Sequence, residues 1–478
     1  MRNKPHSPSI HVLDDDSLLN IFFLCRPALL DEDEVDYFVV LQGGEWVRER
    51  WWYKFTHVCR RWRYLILGSA SCLGLCLVCT YGIPVAEMLA HSRLPLIIDY
   101  VHKAREITTE DEKGIILALR HRDRVRRIRI RIPIPNLQKV LLAMDDEFSM
   151  LEYLYIQPLA KHNMGLILPE TFQAPHLRHL ILMNFAISIR SPFLTTVVPV
   201  DLVTLSLQWI HPSAYFRPSD LLQRLLLMPQ LEVLGISFHS PVPNREVMQL
   251  LDTPTMTNIT LPNLRWFGFC GVSAYLEALL PRITTPLLEK LEIGFFNQLT
   301  FSLPHLFRFI STKENFRFRS AEFQFSPRAL TLLVYPHHGA KTYTLGMDVL
   351  STHLDWEVAS ATQIFDALRA AFSTVEHITL RYERRFTPLE DWKNTTDRTQ
   401  WRELLRLFGN VKTLRVPNNG PITQVSHSLR ESDGESPMEL LPKLKELECF
   451  SSVDGGDAFA SFIDARRKAG HPVTLTHL

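Results

Sequence analysis

Three cysteines and a run of arginines are the residues whose types and spacing could do chemistry in this 478-residue chain. Cys72, Cys76 and Cys79 stand as Cys-x3-Cys-x2-Cys, a spacing at which three thiolates could ligate three irons of a cluster. Their neighbours argue for another arrangement. Leu73, Leu75, Leu77 and Val78 make an apolar strand, whose alternation puts Cys76 and Cys79 on opposite faces, so buried free thiols are expected. The arginines are Arg120, Arg122, Arg124, Arg126, Arg127, Arg129 and Arg131. Arg127, Arg129 and Arg131 alternate with Ile128, Ile130 and Ile132, which gives a strand one apolar face and one row of guanidinium groups. Planar guanidinium forks suit the carboxylates or phosphates of an acidic partner. The competing expectation is a solvated row neutralised by Asp111, Glu112 and Asp123.

Other chemistry is not apparent. There is no Gly-x-x-x-x-Gly-Lys-Ser/Thr loop, no Gly-x-Ser-x-Gly elbow and no His-Glu-x-x-His helix, and the 19 histidines are scattered. The cysteine spacing resembles the cluster-binding loop of radical S-adenosylmethionine enzymes, so an iron–sulfur radical enzyme is one alternative. The favoured reading has no catalytic residue, no metal ligand and no cofactor. Lys and Arg total 52 against 51 Asp and Glu, which excludes a uniformly basic nucleic-acid binder. With 46% hydrophobic and 22% charged residues, the chain is neither collagenous nor largely disordered. The seven cysteines are an odd number in apolar surroundings, which fits reduced thiols and a cytoplasmic or nuclear location. No secretory signal is read near the start, and the sequons at Asn258 and Asn394 are expected to carry nothing.

Helical spacing near the N-terminus is the first element that could position a site. Leu18, Leu19, Ile21, Phe22 and Cys25 fall on a helix, with N-cap candidates and helix-favouring negative charge from Asp14 to Ser17. Phe55, Val58, Cys59, Trp62, Leu65 and Ile66 make a second helical stripe, with Lys54, Arg60, Arg61 and Arg63 outward. Between them, residues 26–52 read as a surface insertion with an acidic patch. Residues 65–86 carry no charge, but Gly68, Gly74, Gly82 and Pro84 break them into a helix end, a short buried strand and a turn. No membrane span is therefore expected.

Leu13-Asp14, then Leu18-Leu19-x-Ile21-Phe22, then Val58-Cys59-Arg60-Arg61-Trp62-Arg63 resemble an F-box over residues 11–68. Asp14 stands where that family usually has proline, and the gap between the two halves is longer than usual. The sequence after Trp62, including Leu77-Val78-Cys79-Thr80-Tyr81-Gly82, resembles F-box proteins expanded in mushroom-forming fungi. The F-box resemblance implies docking on the Skp-type adaptor of an SCF-type cullin–RING ubiquitin ligase. By position, Leu13, Leu18, Ile21, Phe22, Val58, Cys59 and Trp62 would form or support that interface. The alternative is a helical hairpin packed on the rest of the chain.

Beyond it, the pattern apolar-x-x-apolar-x-apolar recurs. It appears at Val125-Ile128-Ile130, Leu151-Leu154-Ile156, Leu177-Leu180-Leu182, Leu202-Leu205-Leu207, Leu231-Leu234-Ile236, Leu264-Phe267-Phe269 and Leu288-Leu291-Ile293. It is weak at Ser320-Phe323-Phe325 and returns at Val375-Ile378-Leu380, Val411-Leu414-Val416 and Leu444-Leu447-Cys449. One 55-residue step leaves room for a degenerate copy around Tyr343 to Leu345. Prolines often precede these strands, and helices are expected at 220–227, 362–372 and 399–408. Repeated strand and helix predict an irregular leucine-rich-repeat-like solenoid over residues 69–478, without an asparagine ladder. A helix and edge strand over 457–478 would cap it, and 432–437 would be a surface loop. An α/β domain around one shared parallel sheet is the alternative.

The expected fold class is therefore α+β overall, a helical module followed by an α/β horseshoe. The expected function is substrate recognition for a ubiquitin ligase, with an unknown protein substrate. A non-ligase interaction scaffold is the rival.

Overall fold

The computed structural model describes residues 13–25, 51–101, 106–159, 166–186, 189, 201–239, 257–296, 300–350, 354–383, 398–417, 422–430, 438–449 and 458–477. The acidic patch at 31–36, Asn394 and the 432–437 loop lie outside these residues. The fold is mixed α/β, with a large, mostly parallel and open sheet. It divides into two units, Met1–Ala214 and Tyr215–Leu478.

The first unit begins with three helices, α1 (Asp15–Leu24), α2 (Tyr53–Thr56) and α3 (Arg60–Gly68). Strands β1 (Leu77–Cys79), β2 (Leu96–Tyr100), β3 (Val125–Ile132), β4 (Tyr153–Pro158), β5 (His179–Met183) and β6 (Thr204–Ile210) follow, side by side in sequence order. Their pairings are parallel. The register explains the recurring motif. Ile98, Ile128, Leu154, Leu180 and Leu205 form one row across the strands, and Ile130, Ile156, Leu182 and Leu207 form the next. All are buried. The first apolar residue of most motifs (Leu151, Leu177, Leu202) precedes its strand and is fully buried in the turn leading into it.

Helices α4 (Val85–His91), α5 (Thr109–Leu119) and α6 (Ile134–Leu142) connect the early strands. Ile115, Ala118 and Leu119 of α5 and Leu137, Val140 and Leu141 of α6 are buried. A reciprocal cap starts α5: Asp111 N donates to Thr108 Oγ1 at 3.1 Å, and Thr108 N donates to Asp111 Oδ2 at 3.0 Å. Gly82 N donates to the other Asp111 oxygen at 2.9 Å, and Gly82 takes the left-handed φ of +70° that this turn needs.

The second unit orders its strands as β7 (Val233–Phe238), β9 (Trp266–Gly271), β11 (Lys290–Phe296), β14 (Leu345–Leu350), β13 (Ala329–Tyr335), β12 (Ser320–Ser326), β15 (His377–Tyr382), β16 (Thr413–Val416), β17 (Glu446–Cys449) and β18 (Thr474–His477). A separate parallel pair joins β8 (Ile259–Thr260) to β10 (Ile283–Thr284). The long step in the motif hides a meander, because β13 runs antiparallel to both β12 and β14. Leu345 does begin a strand there, in parallel register with Leu291. Helices are α7 (Pro218–Leu225), α8 (Ser273–Leu279), α9 (Pro304–Ser311), α10 (Leu354–Ala367), α11 (Arg398–Arg406), α12 (Ile422–Leu429) and α13 (Ala460–Lys468). Phe459, Phe462 and Ile463 are buried at α13, and β18 lies last in the strand order.

No helix of the described residues is long and apolar enough to cross a membrane. The uncharged 65–86 stretch is divided among the end of α3, β1, a turn and the start of α4.

Candidate docking site

The N-terminal helices form a small aromatic cluster. Leu18 and Phe22 of α1, Trp52, and Leu65 and Ile66 of α3 are its buried centre, together with Leu73 and Leu75. Leu13, Leu19, Trp51, Phe55, Trp62 and Leu94 pack against that centre. The Phe22 and Trp62 rings meet edge to face at 4.9 Å, and Phe55 lies 5.7 Å from Phe22. Trp51 and Trp52, expected in the surface insertion, instead belong to this core: their rings fill space that the two short helices leave open.

Backbone capping fixes where each helix starts. Asp14 Oδ1 accepts from Ser17 N at 2.7 Å, which also holds the Asp14 carboxyl below the usual range. An aspartate therefore serves as the α1 cap at the position where the resembled motif has proline. The second apolar stripe is not one continuous helix. It breaks at His57-Val58-Cys59, where Cys59 is extended and its Sγ accepts from Trp62 N at 3.5 Å to cap α3.

That break divides the hexad by role. Cys59 caps, Trp62 packs, and Arg63 Nε donates to the Thr56 carbonyl at 2.9 Å. Arg61 is half-buried against the start of α1, not turned away as a free surface charge. Val58 projects outward and is 59% exposed. Of the residues expected to contact or support an adaptor, Leu18, Phe22 and Trp62 are thus committed to the module's own packing, and Ile21 and Val58 face solvent. Leu13 is half-buried.

Sequence spacing missed the rest of the exposed apolar surface. Leu24 is 81% exposed, and Phe23, Tyr53, Tyr64 and Leu67 are exposed too. Ile21 and Leu24 share a face of α1, and Tyr64 and Leu67 share a face of α3. The i, i+3 pairing was visible in sequence, but the core motif draws attention elsewhere: Leu24 lies beside the α1 stripe, and Tyr64 and Leu67 lie opposite the α3 stripe.

The arginine strand is β3, and its alternation holds: Ile128, Ile130 and Ile132 are fully buried. Its other face is less exposed than a solvated row. Arg129 is 3% exposed, with Nη1 3.4 Å from Asp99 Oδ2. Burial lowers the Arg129 pKa and raises that of Asp99, each partly opposed by the partner charge. Arg126 pairs with Glu152 at 2.8 Å, Arg122 with Asp145 and Asp146, and Arg124 donates to the Ser92 and Leu94 carbonyls. Asp99, Glu152, Asp145 and Asp146 are acids that meet arginines of this run. Asp111 is spent on the α5 cap, and Glu112 on Lys139 and Asn136.

Across the same face, Arg127 aligns with Tyr153, Arg129 with Tyr155, and Arg131 with Gln157. Tyr153, Tyr155 and Ile181 form a buried cluster with Val101 and Met183 packed on it. Tyr155 Oη donates to Gln157 Oε1 at 2.5 Å. His179, next in the Arg127–Tyr153 row, lies 3.1 Å from Thr204 Oγ1, and burial lowers its pKa to about 4.

The three closely spaced cysteines do not gather. Cys72 is exposed, Cys76 is buried with Val78 and Ile97, and Cys79 is buried in β1. Among the described residues, no group of three His, Cys, Asp or Glu side chains is placed to hold a metal ion.

The chain matches no protein-family model and no curated protein.

Proposed function

We propose that the chain is a substrate-recognition subunit of an SCF-type cullin–RING ubiquitin ligase, acting in the cytoplasm or nucleus. Its N-terminal helices dock the Skp-type adaptor, and the repeated strands, arranged as a leucine-rich-repeat-like solenoid, hold the substrate. The observation that carries this reading is the division of labour within Val58–Arg63. Cys59, Arg61, Trp62 and Arg63 hold the module together, while Val58 and the outer residues Ile21 and Leu24 stay exposed. Exposed apolar residues on a module this small gain from burial against a partner helix.

Co-expression of the full chain with a Skp-type adaptor tests it. The wild type should co-purify with the adaptor, and Val58→Asp combined with Leu24→Asp should abolish capture while circular dichroism stays unchanged. Failure of the folded wild type to bind overturns the ligase assignment.

One observation favours the rival scaffold reading. Leu73, Leu75 and Leu94 share the module's core, so the helices also close the N-terminal start of the sheet region. On that reading, deleting residues 1–68 unfolds the first strands instead of only releasing a partner.

A further inference from the structure

Strand β13 leads into a strap, residues 336–342, that returns the chain to β14. Within it, Ala340 N donates to the His337 carbonyl at 3.3 Å, and Gly339 takes a left-handed φ of +78°. The turn carries the exposed His338 at its tip and lays that ring over His377, the first residue of β15. The two imidazoles are stacked, with centroids 4.4 Å apart and planes at 25°. Because β12 lies between β13 and β15, this contact reaches across a whole strand.

Both ends of the strap are anchored. Tyr335 pairs with Ser320 in the β12–β13 ladder. Tyr343 Oη donates to Glu292 Oε1 at 2.6 Å, and Lys290 Nζ lies 4.1 Å from the centre of the Tyr343 ring. Between those anchors, the histidine stack is what ties the strap to β15.

That tie depends on protons. His377 is half-buried, and its Nδ1 is enclosed without a hydrogen-bond partner. The charged groups around it are His338, the adjacent Glu376, Lys412 before β16 and Glu448 on β17. Glu376 is already shared by Arg319 and Lys412. Burial, and then His338, lower the His377 pKa from its ordinary value; Lys412 adds to this, while Glu376 and Glu448 oppose it. The stacked state therefore prefers the neutral His377 ring. Its contribution is complete above about pH 6.5 and is lost as pH falls through the lowered folded value. Two rings that share one proton can stay stacked, whereas two imidazolium rings this close repel each other.

We propose that residues 336–342 form a proton-released strap, closed on β15 while His338 and His377 carry at most one proton and lifted when both are protonated. Release uncovers His377 and the start of β15, and it requires no adaptor.

Hydrogen exchange of the full chain, corrected for the intrinsic pH dependence of exchange, tests this. Between about pH 7.5 and about pH 5, opening of segment 336–344 should rise by about tenfold or more. His338→Phe keeps a stacking ring that takes no proton, and should hold the strap closed at both pH values. His338→Ala removes the ring and should leave the strap open at both. Circular dichroism at each pH checks that the variants are folded, and the amides of β12 and β15 should not change. No rise in the wild type, or an undiminished rise in folded His338→Phe, overturns the inference. So does wild-type protection in His338→Ala at the higher pH, or an equal rise in the β12 and β15 amides, which would mark general loosening.

Discussion

Arg61 ties the beginning of the third helix to the beginning of the first: its Nη2 lies 2.7 Å from Asp15 Oδ1 and 2.6 Å from the Leu13 carbonyl. The ion pair is partly solvated and adds little, but the carbonyl contact is half-buried and charge-assisted. Arg61→Ala should cost about 1 kcal/mol. Hydrogen exchange should show it as faster opening of residues 13–25, with the sheet amides unchanged.

Core and surface residues of the module should separate cleanly. Phe22→Ala removes a fully buried ring that contacts both Phe55 and Trp62, and should destabilise the module by about 3–5 kcal/mol. Val58→Ala should lie within about 0.5 kcal/mol of wild type. Urea denaturation gives these values, and adaptor capture gives the complementary one: Val58→Ala should weaken capture without loosening the helices.

Gly268 is required by a neighbour. The Trp266 ring lies across it, so an added Cβ would stand 2.8 Å from Trp266 Cζ2. Gly268→Ala should cost about 1–3 kcal/mol by displacing the ring and should alter near-ultraviolet circular dichroism. Combined with Trp266→Val, the loss should be smaller than the sum of the two single changes, because the obstruction is gone.

His179 gives the fold an acid sensitivity. Burial is the main cause of its low pKa of about 4, with the Arg178 and Arg127 charges adding to it. The folded state prefers the neutral ring, so this contribution is complete above the unfolded value of about 6.5 and is lost as pH falls through about 4. Urea titrations from pH 7 to pH 4 should show wild type losing about 1–2 kcal/mol more than His179→Gln, allowing for the partly exposed ring.

The sheet was legible because burial repeats in it. One row is the clearest case: Ile128, Leu154, Leu180 and Leu205 recur in sequence because they stack side by side across four strands. The β12–β14 meander was not legible as such. Its alternating Phe323-Phe325 and Leu330-Leu332-Val334 runs flank Ser326-Pro327-Arg328, a turn signal that a search for parallel units passes over. At the candidate docking site, periodicity found Leu18, Phe22 and Trp62 because cores are periodic. It placed Val58 on the same stripe, because nothing in the spacing reveals that one helix ends at Thr56 and that Cys59 caps the next. Nor could spacing pair Arg129 with Asp99, which depends on the register of two strands thirty positions apart.

The antiparallel strand β13 has a consequence for the order in which the chain assembles. Ser326 Oγ accepts from Ala329 N at 3.2 Å and donates to the Ala329 carbonyl at 3.0 Å, closing a turn that brings β12 onto β13 with almost no intervening loop. The parallel pairing of Leu291 with Leu345 must instead close a long stretch of chain first. Local pairing costs less entropy before contacts reward it, so residues 320–350 offer the second unit its fastest starting point. Pulse-labelled hydrogen exchange during refolding should find the amides of β12 and β13 protected before those linking β11 to β14.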